Sequence, residues 1–181
     1  MKDATKDLVS KAEEFLKRHR FTDAAACFEK AAESEDDKAK AAPLLKRAGE
    51  AYAQTRSLED AGRCYSQAGE LMDNEGKAEC LMAYWQSLVL EIAGCQYDCG
   101  YEWRGDTTGD HDADHHFYQD QIKQYQQEAQ RVLVEALRIA GVNKREIIRA
   151  ANKECRKRKK DGWGAGICSN IVAHATAEAK K

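Results

Sequence analysis

Four residues of this chain have the types and spacing of a metal site: Cys95, Cys99, His111 and His115. Three residues separate the members of each pair, so both members share one face of a helix. Two such pairs at facing helix ends can converge on one ion. Two thiolates and two imidazoles suit tetrahedral Zn2+, and four protein ligands make a closed structural site. A metal there would hold together the tip of a long helical extension, which has little core of its own. Asp110, Asp112, His116 or Glu102 could serve as a base beside an open metal, as a metal-dependent enzyme or a metal sensor would need. The plain alternative is a solvated segment with two buried thiols and surface histidines.

The order Cys-x3-Cys-x11-His-x3-His resembles a two-Cys, two-His zinc finger, with Trp103 at the first aromatic position. Gly109 stands where that pattern packs a leucine, and the acidic residues around the histidines would repel phosphate, which argues against nucleic acid as partner. Asp110, Asp112 and Asp114 resemble the start of an EF-hand, but His115 replaces its glycine and Gln121 its bidentate glutamate.

Helices must position these residues, and a 37-residue echo indicates their kind. Leu8, Ala12, Phe15, Ala24, Phe28 and Ala31 return without a gap as Leu45, Gly49, Tyr52, Ala61, Tyr65 and Ala68. Such a period belongs to stacked helical hairpins, none of which buries its apolar face alone. The spacing predicts helices over 5–19 and 22–35, then 39–55 and 58–73. Thr22 or Asp23 is the expected cap of the second helix and Ser57 of the fourth, while Pro43 is expected near a first turn. Leu81, Tyr84, Trp85, Leu88 and Ile92 continue the helical spacing, and Ala129, Leu133 and Ala136 repeat the small–large–small order of Ala24, Phe28 and Ala31. Between them lies an expected insertion, 94–116. Further helices are expected near 143–160 and 167–179. The fold class is all-α, read as one domain over 1–181 with repeats at 1–37, 38–74 and 75–141 and C-terminal helices over 142–181.

The small and aromatic positions resemble the tetratricopeptide (TPR) pattern over residues 5–73. Lys11 departs from it where a large apolar residue is usual, and Asp36 and Asp73 stand in place of the closing proline. The stretches DAAACFEKAAE and DAGRCYSQAGELMD resemble the longer repeats of soluble NSF attachment proteins. The TPR resemblance implies a right-handed stack whose concave face is lined by the first helix of each pair. By position, that face holds Val9, Glu13, Leu16 and Lys17, then Lys46, Glu50, Ala53 and Gln54. Glu13 and Glu50 fall where carboxylate-clamping members of the family carry asparagine, which favours a basic or helical peptide as partner.

The remaining composition narrows the classes. The 181 residues include 33% charged residues and one proline, a balance that favours helix. The formal charge of −2 gives no steering toward polyanions. It is unevenly spread: residues 94–120 balance to −6 and residues 143–160 to +7. The run 153–160 reads as cations answering a helix C-terminus, with phosphate, acidic lipid or an acidic helix as alternative partners. No apolar leader or membrane span is visible. Seven cysteines cannot all pair within one chain, and Cys27 and Cys64 occupy equivalent helix positions, so a reducing cytoplasm is the expected home. The glycines of GWGAG lack the context of a nucleotide loop, and no nucleophile–base pair stands out. The expectation is a non-enzymatic adaptor that binds protein or peptide, with oligomeric state open and no membrane insertion.

Overall fold

The computed structural model describes residues 3–102, 111–139, 142–161 and 165–181, with side chains described over 4–97, 116–139, 142–158 and 166–181. The described residues are helical, with no strand among them. The helices are α1 (Asp3–Lys17), α2 (Phe21–Glu33), α3 (Lys38–Gln54), α4 (Leu58–Glu70), α5 (Asn74–Glu102), α6 (His111–Arg138), α7 (Lys144–Asp161) and α8 (Ala165–Glu178). No helix among the described residues is long and apolar enough to cross a membrane. The segment expected as an insertion is helical over 94–102 and again over 111–116, as the ends of α5 and α6.

The chain splits into two compact units. The first comprises Met1–Tyr84 with the short stretch Ile139–Val142, and the second Trp85–Arg138 with Asn143–Lys181. Their border falls inside α5.

In the first unit, consecutive helices pack on one another from α1 to α4. The 37-residue echo reappears in the backbone itself. After α1, Arg20 N–H donates to Phe15 C=O and His19 N–H to Leu16 C=O; after α3, Ser57 donates to Tyr52 and Arg56 to Ala53. Both ends are Schellman motifs, which turn the chain sharply while satisfying the last free carbonyls of a helix. Their left-handed positions are filled by His19 (φ 56°) and Arg56 (φ 61°), where glycine is usual, so a glycine search passes over both turns.

Small residues work as notches. A side chain at Gly49 would meet the Tyr65 ring at 3.1 Å, and one at Gly62 would meet the Tyr84 ring at 2.6 Å. Ala12 and Phe28, the first-repeat counterparts of Gly49 and Tyr65, are fully buried. The glycines weaken their helices by about 1 kcal/mol each, and close ring packing offsets that loss.

Two capping expectations fail. Ser57 occupies the N-cap position of α4 without a side-chain capping bond; its hydroxyl instead lies 3.2 Å from that of Thr55. Thr22 and Asp23 fall inside α2, whose N-cap is Arg20, and Asp23 pairs with the Arg20 guanidinium at 2.7 Å. In both cases the Schellman turn already sets the entry to the next helix, leaving the cap little to do. Side-chain caps occur at other helix starts: Asp37 accepts from Ala39 N–H at 3.0 Å, and Asp73 from Gly76 N–H at 2.9 Å. Pro43 also lies deeper than expected, in the second turn of α3, on its exposed side.

In the second unit α8 packs on both α6 and α7. Its core includes Trp85, Leu88 and Ile92 of α5, Val132, Leu133 and Leu137 of α6, and Ile171 and Val172 of α8. Cys155 of α7 and Cys168 of α8 form a disulfide, with Cα atoms 5.4 Å apart.

Candidate functional site

The residues expected to line a binding face sit on α1 and α3. Glu13 pairs with Arg47 of α3 at 2.5 Å, and the Arg47 guanidinium also lies 4.2 Å from the centre of the Phe28 ring. Lys46 pairs with Glu79 of α5 at 3.1 Å. These contacts link α1 to α3 and α3 to α5. They also engage two of the five charged or polar candidates, so Glu13 and Lys46 offer a ligand less charge than the sequence suggests. Lys17, Glu50 and Gln54 remain exposed. Val9, Leu16 and Ala53 are half-buried between them, packed against the core. Lys11, the departure from the repeat pattern, extends its ammonium to 5.8 Å from the Phe15 ring centre.

Of the expected metal ligands, only Cys95 has a described side chain; Cys99, His111 and His115 lie outside the described side chains. Cys95 is 2% exposed. Its thiol donates weakly to Gln121 of α6 at 3.7 Å and to Glu91 at 3.9 Å. Among the described residues no group of three or more His, Cys, Asp or Glu side chains could hold a metal.

Burial raises the thiol of Cys64, next to the Glu29 carboxylate, up to about 12. The Cys80 thiol is also pushed upward, chiefly by burial. Neither ionises near neutrality, so neither is a nucleophile there.

The structure adds a polar cluster that sequence reasoning missed. The Glu29 carboxylate of α2 accepts hydrogen bonds from Tyr52 Oη at 2.7 Å, Arg63 Nη1 at 2.5 Å and Cys64 Sγ at 3.5 Å. It thereby links α2, α3 and α4. In the second unit α6 and α8 border shallow clefts, one of about 450 Å3 lined by Gln127, Val134, Arg138 and Glu178. Gln130, which also lines that cleft, donates to Glu178 at 3.2 Å, so two of the cleft's own polar groups satisfy each other.

Comparison with known proteins finds no family model, no curated protein and no solved structure that matches this chain.

Proposed function

We propose that this chain is a non-enzymatic adaptor, with TPR-like stacked hairpins in its first unit, that binds a basic helical peptide across α1 and α3. The observation that carries this reading is the lateral pairing of Glu13 with Arg47 and of Lys46 with Glu79. That pairing leaves Glu50, Lys17 and Gln54 open around the half-buried Val9, Leu16 and Ala53. An amphipathic peptide would rest its apolar side on those three residues and place a cation against Glu50.

The test is fluorescence anisotropy with a labelled lysine-rich amphipathic peptide at low ionic strength. Glu50→Arg should weaken binding by about three- to tenfold, the scale of an exposed interfacial charge, and raised salt should reduce the difference. Saturable binding that Glu50→Arg leaves unchanged would remove this face from the proposal.

A structural Zn2+ on Cys95, Cys99, His111 and His115 is the second reading. It is favoured by the Cys95 thiol facing α6, the helix that bears both histidines. Elemental analysis should then find one zinc per chain, lost with stability in Cys99→Ser. Metal-free protein as stable as the purified chain would leave Cys95 a core thiol.

A further inference from the structure

Helix α7 buries Ile147, Ala151 and Cys155 on one side. Its other side carries Arg145, Arg149, Lys153 and Arg156, all exposed. None of these four side chains has an ion pair or hydrogen bond among the described residues. The steps of four, four and three residues keep them within an arc of about 80° and extend them over about 16 Å. Neighbouring cations behave differently. Lys157 and Arg158 both pair with the buried Glu154 carboxylate, at 2.8 and 3.0 Å. Glu146, another carboxylate of α7, is exposed, lies about 60° round the helix from Arg149 and has no ion pair among the described residues. The ridge is therefore an unneutralised line of charge with a spent pair beside it.

We propose that this ridge docks an acidic helix of a partner protein, whose carboxylates recur at i, i+4, i+8 and i+11. Three of the four cations are arginines, whose planar forks bind carboxylates through two parallel hydrogen bonds. A helix laid alongside α7 has the same rise per residue, so each carboxylate keeps step with one cation. The narrow arc fits a rod better than a flat membrane, which would favour a broader basic face with large apolar residues among the charges. Ala150 and Asn152 are the exposed uncharged neighbours of the ridge, and neither inserts into lipid. The described part of α7 has no aromatic residue on which an unpaired base could stack. The formal charge of −2 also gives the chain no general attraction to polyanions. This surface belongs to the second unit and shares no residue with the peptide face proposed above.

The experiment uses the full chain and two labelled peptides of identical composition, one with glutamates in the stated helical spacing and one with them contiguous. Anisotropy should show saturable binding of the spaced peptide, about tenfold tighter than the contiguous one and weakened by salt. Arg149→Glu with Lys153→Glu should abolish that preference. Its denaturation midpoint should stay near that of the parent, since substitutions at exposed positions barely shift stability. Equal affinity for both peptides would overturn the spacing argument. Tighter binding of a single-stranded oligonucleotide or a phosphatidylserine vesicle would overturn the acidic-helix assignment. Salt-reversible self-association lost in the charge-reversed variant would give the ridge to a second copy instead.

Discussion

Breaking the Cys155–Cys168 disulfide should cost the second unit about 3 kcal/mol, the chain-entropy value for a loop of this size. The two cysteines lie 13 residues apart in sequence, and the bond joins α7 to α8 directly. The effect should be large because α7 has little else to hold it. Its described buried residues are Ile147, Ala151, Cys155 and the charged Glu154, a small apolar area for a helix of 18 residues. Denaturant unfolding with and without reductant measures the difference. Cys155→Ala with Cys168→Ala should reproduce the reduced curve, since alanine replaces each sulfur without an unpaired polar group. Thiol titration of the unfolded, unreduced chain should find two fewer thiols than the seven cysteines. Coincident curves, or a full complement of thiols, would remove the bond from the account of stability.

That bond shows where sequence reasoning on cysteines stops. Cys27 and Cys64 recur at the repeat period, and both are buried and outside any disulfide, as are Cys80 and Cys95. Their place on apolar helix faces is a local property, visible in spacing. The pairing of Cys155 with Cys168 is not local: it depends on two helix faces meeting across α7 and α8. An odd count excludes complete pairing but says nothing of a single pair.

The first four helices were legible because one pattern specifies them twice. Small residues at positions 12 and 49, aromatic residues at 28 and 65, and the turns after 17 and 54 all recur at 37. Packing that repeats leaves a periodic trace in sequence. The left-handed turn residues were hidden because His19 and Arg56 fill a position where glycine would have marked it. The expected caps failed for a related reason: backbone bonds closed those turns, so Thr22, Asp23 and Ser57 were free for other contacts. The border inside α5 left no trace, since helical spacing runs unbroken from Leu81 to Ile92 on both sides of it. On the candidate face, composition identified the charges but not their partners. Arg47 and Glu79, which engage Glu13 and Lys46, become visible only when neighbouring helices are placed side by side.

The Glu29 cluster is the sharpest case of a feature that periodicity conceals, and its removal should have a comparably large effect. Only its thiol repeats, Cys64 as Cys27; 37 residues away, Glu29 corresponds to Ser66, Tyr52 to Phe15 and Arg63 to Ala26. The cluster exists once, joining α2, α3 and α4. Glu29→Ala should destabilise the first unit by about 2–4 kcal/mol, because it removes charge-assisted bonds and leaves the buried Tyr52 hydroxyl without its acceptor. Tyr52→Phe should cost less, and the double variant less than the sum, since both act on one bond. The pH dependence has a definite sign. Burial works against the Glu29 charge, but the hydrogen bonds from Arg63 and Tyr52 outweigh it and hold the carboxyl below its ordinary value of 4.5. A carboxyl with a depressed folded-state value contributes its full stability above the unfolded value and loses it as pH falls through the folded one. The stability gap between parent and Glu29→Gln should therefore be constant near neutrality and shrink below pH 4.5. Denaturant unfolding at a series of pH values measures it. A gap that persists undiminished into acid would mean that Glu29 acts through shape and packing, with its charge irrelevant to the junction between α2, α3 and α4.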